Sequence, residues 1–402
     1  MDAKAEARTR TVPLVIALGI LIIMADGYDM QFIGIVANDL MREWSLSPAA
    51  FGAIASAALF GSIAGAVLAG VVSRRIGLRA TLAGSLVLFG LCTLAGLLAE
   101  NATTLVVLRF IAGIGLGAAV PATVTIVDDN SSLRTRAVSM TLVACGQPIG
   151  AIVGGMLCAQ FMPTFGWHFA FVLGGIAPLL LVPFVWKLPE TKEPERGVWR
   201  LTDLLGRDLW KTTSLLWLTV FQTSCFIYLI VMWVPPTLRE AGASLQASVW
   251  AISAFNFGGI AGAIVIAMLV DRYGPFKVMP ALFGVAAAAT FLLGSSLSLP
   301  EAYPIAFVSG FCGYGAAILL GSVTVMLYPT SLRTFGVGCL LGVGRWGAAL
   351  GPVLLGWAKA AGTPARELIW LAAVAPFVAM LCFLALARVQ AVVSSHLAKQ
   401  TA

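Results

Sequence analysis

Charged residues are scarce in this sequence, and histidine is almost absent. Only 11% of the 402 residues are Asp, Glu, Lys or Arg, and the two histidines are His168 and His396. Soluble domains carry about 25% charged residues, so an ordinary water-soluble domain is excluded. Two separated histidines also exclude a histidine-rich metal site and leave little for histidine-based proton transfer inside a membrane.

The patterns that usually carry enzyme chemistry are missing as well. The sequence has no G-x-S-x-G, no H-E-x-x-H and no phosphate-binding lysine loop. Its seven cysteines fall within or beside apolar runs without a C-x-x-C pair, which indicates packing residues rather than disulfides or ligands. We therefore expect no enzyme activity, no metal and no cofactor.

Apolar residues dominate the chain, at 59% of the sequence with a mean hydropathy of +0.95. A membrane-spanning helix uses about 20 such residues, and runs of this length are too long for barrel strands. The pattern predicts an all-α membrane protein with twelve spanning helices. They are expected at 12–36, 49–72, 79–99, 103–127, 137–158, 168–187, 213–236, 247–270, 278–298, 303–328, 336–358 and 367–387.

The longest polar stretch, 188–212, divides the chain into a six-helix bundle at 1–187 and another at 213–402. Leu133-Arg134-Thr135 recurs before the eleventh helix as Leu332-Arg333-Thr334. A similar echo links the loops after the second and eighth helices. Nearly equal spacing of such echoes predicts two six-helix bundles related by a parallel repeat, the layout of a transporter with a site between its halves.

Basic residues distribute unevenly between the predicted loops. With the N-terminus inside, 19 of the 25 lysines and arginines fall in cytoplasmic segments, and four fall in external loops. This asymmetry predicts that both termini are cytoplasmic. It also explains the net charge of +7 without a nucleic-acid partner, so the expected partner is the lipid bilayer.

Asp26 and Asp29 are the only acidic residues that fall well inside a predicted helix. A charge at bilayer depth costs about 2.5–3.5 kcal/mol on insertion scales, so it persists only beside a cavity or a partner. Three positions apart, the two carboxylates share a helix face and cannot both ionise easily. We predict that they couple transport to protons; the alternative is a structural hydrogen bond or ion pair to a neighbouring helix.

Two arginines also fall inside predicted helices. Arg345 offers a planar, permanently charged fork for a carboxylate, which favours an anchor for an aromatic acid anion; the alternative is a bridge between helices. Arg109 can reach the level of Asp29 or extend to the outer surface, and the sequence leaves both alternatives open.

Several motifs resemble those of the major facilitator superfamily. The loop pattern G-x-x-x-D-R-x-G-x-[RK]-[RK] is matched at Gly70, Arg75, Gly77 and Arg79, and again at Asp271, Arg272, Gly274 and Lys277. Arg109-x-x-x-Gly113-x-Gly115-x-Gly117 resembles the superfamily's fourth-helix motif. Within the superfamily, Asp26-Gly27-Tyr28-Asp29 and Gly342-Val343-Gly344-Arg345-Trp346-Gly347 are similar to motifs of the aromatic acid:proton symporters.

The resemblance implies import of a small aromatic carboxylate, of the benzoate, hydroxybenzoate or phenylpropanoid kind, with protons and by alternating access. It implies a multi-pass protein of the bacterial inner membrane, which we expect to be monomeric. The alternative is an efflux antiporter for drugs or metabolites. Side chains on the cavity-lining helices, expected to bind substrate, are Arg345, Arg109, Tyr28, Gln147, Asn256 and Tyr314. Gating residues are expected at Arg74, Arg75, Gly77, Asp271, Arg272 and Gly274, with Arg74 standing where the family has Asp.

Overall fold

The structure, a computed structural model, describes residues 3–131, 136–190, 201–206, 209–295, 299–329 and 332–401. Within these ranges the regular elements are helices, with no strand. The chain forms two compact units. Unit 1 comprises Met1–Glu195 with Gly242–Ser253, and unit 2 comprises Arg196–Ala241 with Ala254–Ala402.

The helices of unit 1 follow one another with short connections. They are α1 (Ala3–Ile35), α2 (Ala37–Glu43), α3 (Pro48–Ile76), α4 (Leu78–Ala95), α5 (Ala102–Asn130), α6 (Arg136–Ala144), α7 (Gly146–Phe165) and α8 (His168–Val185). A 3-10 turn, Gly96–Leu98, extends α4. The break at Cys145 separates α6 from α7, which together form one span.

Unit 2 has the same kind of architecture. Its helices are α9 (Leu201–Leu204), α10 (Trp210–Glu240), α11 (Leu245–Tyr273), α12 (Pro275–Ser295), α13 (Leu299–Ser309), α14 (Gly315–Ile318), α15 (Leu320–Leu327), α16 (Arg333–Ala360) and α17 (Ala365–Thr401). The first turns of α11 belong to unit 1. A π-helical segment, Gly310–Tyr314, joins α13 to α14.

Twelve segments of the described chain are long and apolar enough to cross a membrane, with lengths from 18 to 31 residues. Each coincides with one of the twelve predicted runs to within several residues. The predicted all-α membrane fold is therefore confirmed. Orientation in the membrane stays a prediction, because the lengths and hydropathy of the spans do not distinguish the two sides.

Local sequence explains where several of these helices begin and end. The Ser47 hydroxyl accepts a hydrogen bond from the Ala50 amide at 3.2 Å, and the side-chain Oδ1 of Asn101 accepts one from the Thr104 amide at 2.9 Å. Such N-caps satisfy amides that the first helical turn leaves without partners. Gly77 and Gly274 end α3 and α11 with φ of 85° and 81°, a backbone region that other residues rarely adopt.

The boundary between the units lies inside the predicted middle loop, 188–212, of which 191–200 and 207–208 lie outside the described residues. One difference from the predicted bundles concerns Gly242–Ser253, which the sequence grouped with the second half. In unit 1 this segment packs beside α7: a Cβ on Gly155 would lie 3.3 Å from the Val249 side chain. The two-bundle division at 187 and 213 stays a prediction.

Candidate functional site: buried carboxylates of unit 1

The best-defined polar cluster of unit 1 is a buried ion pair between α1 and α5. Arg109 Nη1 donates to Asp29 Oδ1 at 2.6 Å, and Nη2 donates to Asp29 Oδ2 at 3.0 Å. The side chains are 2% and 1% exposed. Of the two alternatives that the sequence left open for Arg109, the structure therefore shows the contact with Asp29.

This ion pair is held against an aromatic ring and is not fully satisfied. The Arg109 guanidinium carbon lies 5.0 Å from the centroid of the Phe32 ring, a favourable cation–π distance. Arg109 Nε has no hydrogen-bond acceptor among the described residues. Removing two charges from water costs several kcal/mol per ion, and the Coulomb attraction repays this only with good geometry. The pair is thus poor evidence of stabilisation, and an ionisable pair buried in a spanning helix is a candidate functional site.

Asp26 lies one helical turn earlier on α1 and is bound by a different helix. Gln147 Nε2, on α7, donates to Asp26 Oδ2 at 3.1 Å. Asp26 is 7% exposed, so this carboxylate is also buried. Gln147 is a neutral amide, and an amide can donate to a carboxylate or accept from a carboxylic acid.

Glycine brings α1 and α7 close enough for that contact. A Cβ on Gly27 would collide with the backbone carbonyl of Gln147, and a Cβ on Gly150 would collide with that of Met24. Close approach of helix backbones through small residues is the usual packing device in membranes. The Gly in Asp26-Gly27-Tyr28-Asp29 therefore has a structural reason: it lets Gln147 reach Asp26.

The sequence predicted that the two carboxylates act as one pair, and the geometry modifies this expectation. Asp26 contacts Gln147 on α7, whereas Asp29 contacts Arg109 on α5. The pattern of three positions places them on one side of α1, but each has its own partner there. The proton-coupling role of both stays a prediction.

Tyr28 has a position that argues against direct substrate contact. Its hydroxyl donates to the Ala170 carbonyl at 2.7 Å and lies 3.3 Å from Cys158 Sγ. Its ring stacks on Phe32 with centroids 5.4 Å apart. The side chain is 6% exposed, so it joins α1 to α7 and α8 through packing and hydrogen bonds.

In unit 2, Arg345 lies on α16, which packs closely on α10. A Cβ on Gly347 would collide with the Phe221 backbone carbonyl, and one on Gly344 would lie 2.9 Å from Ser224 Oγ. Arg345 is the next residue after Gly344, so it lies at the flank of this contact and is half-buried. These glycines explain part of the motif around Arg345 as helix packing.

The other two predicted substrate residues of unit 2 are buried. Asn256 is 2% exposed and Tyr314 is 8% exposed. Tyr314 stacks on Phe255 with ring centroids 5.8 Å apart, and it ends the π-helical segment Gly310–Tyr314. Such segments are rare and occur frequently at functional sites. Their substrate-binding roles stay predictions.

The predicted gating loops have the expected glycines at their turns. Arg74 and Arg75, at the end of α3, are exposed, as are Asp271 and Arg272 at the end of α11. The Arg272 guanidinium lies 5.3 Å from the ring centroid of Tyr273. The gating role of these residues stays a prediction.

Sequence reasoning missed Glu190 as a partner of the loop after α3. Glu190 Oε2 lies 3.1 Å from Arg79 Nε, and Arg79 Nη1 also donates to the Leu188 carbonyl at 3.3 Å. A Cβ on Gly77 would collide with the Glu190 carboxylate. The sequence held one signal for this contact. Glu190 is an acidic residue shortly after the sixth span, in a loop predicted to lie on the same side of the membrane as Arg79.

The profile described as Major Facilitator Superfamily matches residues 19–294 and 216–402. The chain is 32% identical over 375 residues to a 4-hydroxybenzoate transporter of Pseudomonas putida, covering 84% of each chain. It is also 32% identical over 409 residues to a gallate transporter of Pseudomonas putida, covering 92% of this chain and 91% of the other.

Comparison of folds gives a consistent result. A crystal structure of a D-xylose-proton symporter matches with a TM-score of 0.75 at 17% identity, covering 92% of this chain and 96% of the other. Identity at this level supports the fold alone. The sequence relatives cover a similar share of the chain but at a higher identity, 32%.

Proposed function

Because this chain belongs to the Major Facilitator Superfamily, and is therefore a multi-pass membrane transporter and not an enzyme, we propose that it imports a small aromatic carboxylate with protons. The substrate class is supported by the relatives, which include transporters of 4-hydroxybenzoate and of gallate. The coupling is supported by the buried carboxylates of α1. Alternating access between the two units completes the mechanism.

The observation that carries the coupling step is the bidentate Asp29–Arg109 pair inside a spanning bundle. Protonation of Asp29 would remove the negative charge that Arg109 faces. Arg109 would then be a buried cation without a counter-ion, because its side chain is only 2% exposed. An unpaired guanidinium in that environment attracts another anion. Proton binding at Asp29 and carboxylate binding at Arg109 thereby favour one another, which is the thermodynamic requirement of symport.

Asp26 is the second proposed proton site, and its contact with Gln147 depends less on protonation than an ion pair does. Gln147 can hydrogen bond to Asp26 in either protonation state, so this contact is kept when Asp26 takes up a proton. In the proposed cycle Asp26 exchanges protons while α1 keeps its packing on α7. Asp29 transmits protonation to the anion site through Arg109.

Arg345 of α16 is a second proposed cation for the substrate carboxylate, in addition to Arg109. Its guanidinium is charged at every relevant pH and matches a carboxylate with two parallel hydrogen bonds. Asn256, Tyr314 and Gln147 are proposed to contact the aromatic ring or its substituents. For Tyr28 we propose a supporting role, because its hydroxyl already bonds to Ala170 and Cys158.

The proposed setting is the bacterial inner membrane, with a monomeric carrier whose two termini are cytoplasmic. The excess of basic residues in one set of loops supports this orientation. The loops after α3 and α11 then lie on the cytoplasmic side, where we propose that they gate the inner opening. Efflux of drugs or metabolites is the alternative function.

Uptake into whole cells or proteoliposomes tests the proposal. Labelled 4-hydroxybenzoate or gallate should accumulate when an inward proton gradient is imposed, and an uncoupler should abolish the accumulation. The neutral amide of the same ring should not compete, because it offers no anion to a guanidinium. Accumulation that persists with the uncoupler, or outward transport driven by the gradient, would contradict symport.

A further inference from the structure

Helices α12 and α17 of unit 2 pack side by side and leave an apolar groove on the surface of the protein. The groove has a volume of about 570 Å³. Alanines and larger apolar side chains line it together. Its principal lining residues are Ala288, Phe291, Leu292, Trp370, Val374 and Phe377.

The walls of this groove are exposed, although both helices are spanning segments. Phe291 is 49% exposed, Val374 54% and Phe377 48%. An apolar surface at bilayer depth is covered by hydrocarbon or by another apolar helix, because water gains nothing from contact with it. A groove, in contrast to a flat face, can hold a single hydrocarbon chain along a defined path.

One end of the groove is polar and positively charged. Arg366 Nη2 donates to the Ser295 carbonyl at 2.7 Å, and the Arg366 guanidinium carbon lies 5.3 Å from the ring centroid of Trp370. Trp370 Nε1 is held by the Phe291 carbonyl at 3.2 Å, and its ring stacks on Phe291 at 5.0 Å. None of the ion pairs among the described residues includes Arg366, so its charge is available to an anion.

The dimensions match one leaflet of a bilayer. From Arg366 to Phe377 the helix rises about 17 Å at about 1.5 Å per residue. Half of the hydrocarbon core is about 15 Å. A positive charge at one end and an apolar path of this length therefore reproduce the two parts of a phospholipid, a phosphate headgroup and an acyl chain.

We propose that this groove is a binding site for an anionic phospholipid, with one acyl chain along α12 and α17 and the phosphate at Arg366. Trp370 lies at the junction of the two parts, where an amphipathic ring is favoured. Its stacking and its hydrogen bonds fix the wall against which the chain lies. The site is independent of the transported substrate and of the orientation of the protein in the membrane.

Fluorescence quenching tests this site in the full-length protein. The protein is reconstituted in phosphatidylcholine vesicles that contain brominated acyl chains, carried either by phosphatidylglycerol or by phosphatidylcholine. The contribution of Trp370 is the difference between the wild type and Trp370→Phe. We expect half-maximal quenching of this contribution at about fivefold less brominated phosphatidylglycerol than phosphatidylcholine, since one basic residue near an anionic lipid is worth about 1 kcal/mol.

Two variants and one control make the result specific. Arg366→Gln should bring the ratio close to one, and Ala288→Ile, which fills the groove at an exposed position, should weaken quenching by both lipids. The control is Trp357, which is 62% exposed on α16 and should be quenched equally by the two lipids. Its contribution is measured with Trp357→Phe.

Three outcomes overturn the proposal. The first is equal quenching of Trp370 by the two lipids, and the second is an unchanged preference in Arg366→Gln. The third is quenching of Trp370 that falls as protein density is raised at constant lipid composition, because a second copy of the chain would then occupy the groove.

Discussion

Arg109 holds Asp29 with two hydrogen bonds from adjacent guanidinium nitrogens, although the two residues are 80 positions apart in the chain. The pair links α1 to α5 inside unit 1, and the Phe32 ring lies against the arginine. Any change in the charge of either side chain is therefore felt by the other. In the proposed mechanism, this contact connects the proton site at Asp29 directly to the anion site at Arg109.

Asp29→Asn should destabilise the protein and abolish accumulation. The substitution leaves a buried, charged Arg109 without its counter-ion, and breaking such a pair from one side costs about 3–5 kcal/mol. Thermal unfolding in detergent measures the first effect, and uptake under an imposed proton gradient measures the second. Arg109→Gln should give a similar loss of stability from the opposite side.

The double variant Asp29→Asn with Arg109→Gln is the matched control. It removes both charges, so most of the lost stability should return. Accumulation should stay absent because neither a proton site nor an anion site remains at this position. Accumulation at the wild-type level in the double variant would show that the pair is only a structural bridge.

Asp26→Asn should retain folding and exchange but lose accumulation. Asparagine keeps an oxygen that accepts from Gln147 Nε2, so the contact between α1 and α7 is preserved. It cannot release a proton, so the gradient no longer drives net uptake. The measurement compares counterflow of labelled substrate in preloaded proteoliposomes with gradient-driven uptake, and intact accumulation would remove Asp26 from the coupling mechanism.

Gly27→Ala should destabilise unit 1 much more than the same substitution at a glycine that has open space around it. The new methyl group would collide with the Gln147 backbone carbonyl, and forced overpacking costs about 1–3 kcal/mol. Gly84→Ala is the control, because a Cβ there has nothing within 4 Å and alanine favours the helix. Equal unfolding temperatures for the two variants would contradict the packing argument.

Much of the fold could be predicted from the sequence because the bilayer imposes a simple rule. Spanning segments need about 20 apolar residues and satisfy their backbones internally, so apolar runs alone located all twelve spans. The break at Cys145 and the π-helical segment Gly310–Tyr314 lacked such a signal. Both depend on how neighbouring helices pack, which one linear pattern does not record.

The candidate site was only partly predictable for the same reason. The rarity of acids in helices identified Asp26 and Asp29, but periodicity placed them together and could not assign their partners. The contact of Asp29 with Arg109 depends on the packing of α1 on α5. Glu190 was missed because its importance comes from position, 3.1 Å from Arg79, in a segment that the sequence treated as a loop.

Glu190→Gln should slow transport with little loss of stability. The Glu190 and Arg79 side chains are 48% and 30% exposed, and ion pairs in such solvent contact are worth about 0–1 kcal/mol. If the loop after α3 gates the carrier, however, loss of its anchor changes the rate of opening. Initial uptake rates at saturating substrate, compared with unfolding temperatures, separate these effects.

Arg74→Asp provides a rescue experiment for that loop. It restores the acidic residue that the resembling family has at this position, so a second carboxylate becomes available beside the loop. Arg74→Asp combined with Glu190→Gln should recover part of the lost rate, whereas Arg75→Asp combined with Glu190→Gln should not. Equal rates in the two double variants would show that position within the loop is irrelevant.

Arg345→Lys should reduce the apparent affinity for the aromatic carboxylate while leaving the fold intact. Lysine keeps the positive charge on α16, but an ammonium is a point charge and cannot form the two parallel hydrogen bonds of a guanidinium. Helix packing should survive, because Gly344 and Gly347, which bring α16 close to α10, are unchanged. Concentration-dependent uptake should therefore show a KM raised about tenfold or more, consistent with about 1.5–3 kcal/mol for hydrogen bonds to a charged group. An unchanged KM in the lysine variant, with Arg345→Gln equally active, would assign the substrate anchor to another cation, of which Arg109 is the first to test.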